Sequence, residues 1–170
     1  MLYPVPAVMV SCGREGETPN IITVAWAGTI CSDPAMVSIS VRKERFSHSI
    51  IRDTGEFVIN LVNKRLVRAT DYCGVKSGRD VDKFKETRLT PQASRYVKAP
   101  GVEESPVNIE CKVVEVKELG SHDMFIAKVM GVTIDNQYMD DRGKFNLNAS
   151  GLVSYSHGAV SYTHLRAHET

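Results

Sequence analysis

The sequence predicts a mainly β protein, an antiparallel barrel with short helices. Three observations carry that expectation. At least six segments have strand composition, every helical segment is short, and the regular strand–helix alternation of a doubly wound parallel sheet is missing. A length of 170 residues suits one domain with one sizeable core.

The elements follow in order. AVMVSCG (7–13) is short, apolar and closed by glycine, a strand pattern. REGETPN is a turn-rich loop, and IITVAWAGTI (21–30), β-branched and holding the single tryptophan, predicts a buried strand. CSDP is a turn, with the residue before proline biased to extended geometry. AMVSISV (35–41) alternates, with Val37, Ile39 and Val41 on an apolar face and Met36, Ser38, Ser40 and then Arg42 on the other. Ser47 is the N-cap candidate of a short helix with an Ile50/Ile51 stripe and a stop at Gly55. EFVINLV (56–62) returns to strand, and KRLVRATDYCG predicts a short helix ending at Gly74. Residues 75–106 are polar and lack clean periodicity, and a loop of that length is often functional. NIECKVVEVKEL (108–119) and HDMFIAKVMGVTID (122–135) are strands around a GSHD hairpin turn. Residues 136–150 form a polar loop, and GLVSYSHG closes with a short strand.

The final residues, SYTHLRAHET, carry no apolar stripe and resemble translated sequencing-adaptor DNA at the end of a truncated gene. One domain over residues 1–159 and a non-native tail over 160–170 are therefore expected.

Net charge is +1, which gives no global electrostatic case for nucleic acid or an anionic membrane. No apolar run approaches the ~20 residues that span a bilayer. The start, MLYPVPAVMVSCG, lacks the basic and long apolar regions of a signal peptide, so a cytoplasmic location is the default expectation. Cys12, Cys31, Cys73 and Cys111 form no CxxC pair and are expected to be small buried hydrophobes rather than metal ligands. Cys73 fits this least well, because it precedes a glycine in a polar stretch.

Positive charge gathers in SVRKERFSHSI (40–50), where an apolar strand gives way to a helix. A helix N-terminus offers unpaired amides and about half a positive charge, and an arginine beside it reaches phosphate oxygens. Ser38, Ser40, Arg42, Arg45 and Ser47 would then line a phosphate site without a glycine-rich loop. A solvated basic turn fits the spacing equally well. Other phosphate devices are absent, with no GxxxxGK[ST] and no GxGxxG after a strand. Among His48, His122, His157, His164 and His168 there is no HExxH, and the adjacent residues of SHD (121–123) cannot form a triad. Trp26 reads as core or as a ligand-facing wall.

Four stretches taken together carry a resemblance: PNIITVAWAGTICSDPAMVSISVRKERFSHSIIRDTGEFVINL, DYCGVKSGRDVDKF, ESPVNIECKV and GSHDMFIAKV. In order and spacing they resemble the flavin reductase-like family with an FMN-binding split barrel, including its flavoredoxin-type members. YSHG (155–158) is similar to that family's final motif, so the resemblance spans about residues 5–158. It implies a six-stranded antiparallel Greek-key split β-barrel working as a homodimer, with flavin near the subunit boundary. It implies an FMN phosphate at Arg42, Arg45, Ser47 and His48, with Ser38 and Ser40 beneath the ribityl chain. Asn20, Thr23, Ala25, Trp26, Ala27 and Thr29 would run along the isoalloxazine ring, Ser77 and Lys83 would lie near the flavin, and His122 would sit at its reactive edge as the catalytic candidate.

The activity this implies is NAD(P)H:flavin oxidoreduction, with FMN, or FAD, as cofactor and NAD(P)H as co-substrate. The second expectation is an FMN-holding electron carrier without its own NAD(P)H activity, serving an electron-acceptor protein. A small-barrel nucleic-acid binder is disfavoured, because aromatic content is 7% and the positive charge is local.

Overall fold

The computed structural model describes residues 2–156 and 158–161. Strands β1 (Val5–Pro6), β2 (Val8–Cys12), β3 (Asn20–Val24), β4 (Ala27–Ser32) and β5 (Ala35–Arg42) lead into helix α1 (Phe46–Thr54). Strand β6 (Glu56–Leu61), helices α2 (Val67–Val75) and α3 (Lys83–Thr87), and the short strands β7 (Pro91–Gln92) and β8 (Gly101–Val102) follow. The long hairpin β9 (Val107–Glu118) and β10 (His122–Ile134) precedes β11 (Ser154–Ser156) and β12 (Ala159–Ser161).

One antiparallel sheet dominates, in the order β3-β2-β6-β9-β10-β5-β4. Its two outer strands, β3 and β4, are consecutive in the chain, with only Ala25 and Trp26 between them. A flat sheet could not satisfy that connection, so the sheet curls until its edges approach, and the Ser40 amide donates to the Trp26 carbonyl at 2.9 Å. The expected barrel is present, built from seven strands rather than six. The single strand expected over 21–30 is two strands, because its middle carries the chain from one sheet edge to the other.

Alternation fills the interior. Val8, Val10 and Cys12, then Val37, Ile39 and Val41, then Phe57 and Ile59, meet Phe125 and Ala127, while Ile50 and Ile51 of α1 plug one end. Each such fully buried apolar side chain stabilises the fold by about 1.5–3 kcal/mol. The opposite face of β2 and β3 is also covered. Met9 and Ile21 pack with Leu66, Cys73, Phe84, Leu89 and Val102 in a second core. Residues 75–106 are therefore not a loose loop. Their α3, capped by the Asp82 side chain accepting from the Lys85 amide at 3.1 Å, roofs that second core.

Two local expectations change, and the expected burial of Cys73 holds. Helix α1 is capped by Arg45, not Ser47, which lies buried in the first turn, while Gly55 closes the helix with φ 66° as expected. Gly74 lies inside α2, where an added Cβ would sit 3.3 Å from the Thr23 Cβ, so its small size serves helix–strand packing. Cys73 is fully buried in α2, with Cys12 and Cys111 also buried and Cys31 half-buried. Strand β12 pairs with β11 through Ser161. The remaining tail, with His164 and His168, and His157 of the YSHG motif lie outside the described residues. No helix among the described residues is long and apolar enough to cross a membrane.

A buried charge fastens α1 to the barrel. The carboxylate of Asp123 is fully buried, 2.7 Å from His48 Nε2, 3.4 Å from Lys43 Nζ and 3.4 Å from Arg52 Nη1. Burial pushes its pKa up, but the His48 hydrogen bond and the Lys43 charge outweigh burial and hold it below the ordinary value. Its stabilisation is therefore present above the unfolded pKa and is lost as pH falls below about 4. Asp123→Asn is expected to remove about 2 kcal/mol at neutral pH, since two of its three partners are half-exposed and screened. It should also flatten the acid limb of stability. Urea titrations across pH check this, and a variant with wild-type midpoints would show that the cluster contributes nothing.

Candidate functional site

Where β3 and β5 part at Trp26, the barrel wall opens into a cleft. It consists of two cavities of about 170 Å³ each, which share Ile22 and Arg45. The first lies between the start of α1 and the segment 76–79, lined by Asn20, Arg45, Phe46, Ser47, Ser77 and Lys83 among others. The second runs along the backbone of Thr23–Trp26, opposite Ser40, Arg42 and His122.

Local sequence explains each wall. Strand β5 ends at Arg42, the chain turns with the Arg45 amide donating to the Arg42 carbonyl at 3.1 Å, and α1 begins at once. Helix geometry leaves the amides of Phe46 and Ser47 without intrahelical acceptors. The His48 amide donates to the Arg45 carbonyl at 3.0 Å. Asn20 of β3 donates through Nδ2 to Ser47 Oγ at 2.8 Å, which fixes the first turn of α1 against the strand.

The first cavity is electropositive. Arg45, Lys76, Arg79 and Lys83 face one acid, Glu44. Lys83 is 3% exposed, and its ammonium donates to the carbonyls of Ile21 and Cys73 at 2.8 Å each. Among the described residues no carboxylate lies within ion-pair distance of Lys83 or Arg45. Burial first, and the Arg45 charge as well, push the Lys83 pKa down, while Cys73 and Cys12 oppose this. An ammonium has three donors, and two are used. A buried cation without a counter-ion is costly, so this cavity favours an anion.

In the second cavity the rings of Trp26 and His122 stack with centroids 4.6 Å apart at 32°. Ser121 Oγ lies 2.9 Å from His122 Nδ1. Burial and the neighbouring Arg42 lower the His122 pKa, which favours the neutral ring at pH 7. Trp26 is a wall of this cavity, 45% exposed, and not core.

The structure thus brings Asn20, Arg45, Ser47, Ser77 and Lys83 to one cavity and Thr23, Ala25, Trp26, Ser40, Arg42 and His122 to the other. Four expected residues line neither. Ala27 packs against the barrel core, Thr29 is exposed on β4, and Ser38 pairs in register with Gly28 and Ile126. His48 turns its imidazole inward to Asp123 and to Phe125, 5.4 Å away, so its ring serves the fold. Arg42 is half-exposed and pairs with Glu44 at 3.1 Å, which leaves Arg45 as the better-placed arginine. Sequence reasoning missed Lys76, Gly78 and Arg79. The signal for them was the run of cations Lys76, Arg79 and Lys83 within CGVKSGRDVDK, passed over because its glycines follow no known phosphate-loop spacing.

Residues 1–153 match the family described as the flavin reductase like domain. The fold is similar to the flavoredoxin of Desulfovibrio vulgaris (Miyazaki F), 32% identical, with TM-score 0.92 over 99% of this chain and 92% of that one. It is also similar to an FMN-binding protein from Thermus thermophilus with bound p-hydroxybenzaldehyde, 25% identical, with TM-score 0.76 over 94% of this chain and 86% of that one. An uncharacterized protein of Pyrococcus abyssi is 32% identical over 92% of this chain and 88% of its own length. With a family match over most of its length and a split-barrel fold shared with flavoredoxin, the chain belongs to the flavin reductase-like family.

Proposed function

We propose that the cleft binds FMN and that the protein is an oxidoreductase passing hydride from NAD(P)H to flavin. The observation that carries the reading is the pair of cations, Arg45 and Lys83, with no carboxylate within ion-pair distance among the described residues, beside the first amides of α1 and next to the cavity lined by Thr23–Trp26. The residues fit the cofactor. Arg45, the third donor of Lys83 and the Phe46 and Ser47 amides suit a dianionic phosphate. The Thr23–Trp26 main chain and the Trp26–His122 wall suit a flat ring, with Ser40 and Arg42 between. FAD shares the same phosphate and ring chemistry.

When bound, flavin supplies the two-electron chemistry, and the chain needs no nucleophile of its own. The residues here hold and orient. Lys83 tethers the anion to β3 through the Ile21 carbonyl, and Trp26 shields one face of the second cavity. His122, with its pKa lowered, presents a neutral ring that neither repels a cation nor neutralises an anion at pH 7. A second copy of the chain is proposed to complete the ring site, supported by the edge strand β4, on which Ile30 is 48% exposed. Sedimentation at 18.8 kDa alone would remove this part of the reading.

Similarity to a flavoredoxin favours a second reading, an FMN electron carrier without its own NAD(P)H activity. Mixing the protein with FMN and NADH or NADPH and following nicotinamide absorbance separates the two. Consumption is expected for the reductase, whereas tight FMN binding without consumption favours the carrier. Arg45→Ala is expected to weaken FMN binding by roughly tenfold or more while leaving riboflavin within about threefold. Titration by flavin fluorescence quenching checks this, and equal losses for both ligands would place Arg45 at the ring or in the fold instead of at the phosphate.

A further inference from the structure

The walls of the first cavity come from two separate segments, Glu44–Ser47 and Lys76–Arg79. Arg79 crosses between them. Its Nη1 donates to the Glu44 carbonyl at 3.0 Å, and its guanidinium lies 5.4 Å from the centre of the Phe46 ring. The segment that carries it belongs to no sheet. It leaves α2 with the Lys76 amide donating to the Tyr72 carbonyl at 3.0 Å, and it is folded on itself by Ser77, whose Oγ accepts from the Arg79 amide at 3.2 Å. Val75, just before it, is 71% exposed.

Gly78 shows how closely this strap lies on the floor of the cavity. A Cβ built there would sit 2.2 Å from Asn20 Oδ1 and 2.8 Å from Phe46 Cδ1. Neither neighbour gives way freely, since Asn20 is buried and bonded to Ser47, and Phe46 is held under Arg79. Only glycine allows the strap to close this far. The fastening itself is exposed, one hydrogen bond and one cation–π contact, and so is weak and reversible. Arg79 lines the same cavity as Arg45 and Lys83.

We propose that Lys76–Arg79 is a latch across the anion cavity, closed by Arg79 on the Glu44–Phe46 turn, and that its opening sets how fast a phosphate-bearing flavin exchanges. The latch rests on the phosphate reading given above. It bears on the choice between the two functions, because a flavin behind a closed latch is retained between turnovers, as a carrier requires, and a readily opened one releases it.

The test uses the full chain and two methods. In stopped-flow quenching with FMN, Arg79→Ala is expected to raise association and dissociation rates together, association about fivefold and dissociation by more, because the cavity also loses one positive charge. Gly78→Ala, which props the strap open, should act in the same direction. In the ligand-free protein, amide hydrogen exchange over residues 76–80 should quicken in Arg79→Ala by a similar factor, while β3 and α1 keep wild-type protection. Unchanged exchange would overturn the latch. So would a rise in dissociation alone, which would make Arg79 an ordinary ligand contact. If the wild-type chain fails to bind FMN, the phosphate reading falls by itself, and hydrogen exchange still decides the latch.

Discussion

Ala25 and Trp26 join strands that lie at opposite edges of one seven-stranded sheet. Consecutive strands cannot occupy both edges unless the sheet rolls up, so this two-residue link dictates a barrel. It also fixes where the barrel is imperfect. At the link, backbone leaves the ladder, one hydrogen bond from Ser40 closes the seam, and the wall parts into a cleft. Several residues of the candidate site are placed by that seam. Asn20 and Thr23 approach it on β3, Ser40 and Arg42 on β5, and α1 starts beside it.

Charge decides what the cleft receives. Several cations among the described residues have carboxylate partners: Arg14 has Asp53, Arg52 has Glu118, and Lys98 has Glu15. Lys83 differs from them, because it is buried and no carboxylate among the described residues lies within ion-pair distance of it. Two carbonyl acceptors lessen the cost of burying its ammonium without cancelling the charge. Arg45 nearby raises that cost further. Such a pair is poorly explained as scaffold, since an apolar residue would join β3 to α2 with less strain on the charge balance. An anionic ligand relieves it, and the first turn of α1 contributes amides to the same point.

Much of the barrel was legible in the sequence, because half-buried strands advertise themselves by alternation, as Val37, Ile39 and Val41 do in β5. The break at Ala25–Trp26 was hidden, since composition there is continuous and only the sheet order forces the chain across. Ser47 looked like a cap by residue type, but Asn20 from another strand claims its hydroxyl, leaving the cap to Arg45. His48 looked like a phosphate ligand until its partner Asp123, far away in sequence, turned it inward. The common cause is long-range pairing. Local pattern reports which residues can cap, bind or stack, whereas the fold decides which of them have already been taken.

The most direct measurement is a crystal structure of this protein grown with FMN. The expected result places the phosphate within hydrogen-bond distance of Arg45, Lys83 and the first amides of α1, with the ring along Thr23–Trp26. A phosphate lying in solvent, with Lys83 bonded only to the Ile21 and Cys73 carbonyls, would contradict it.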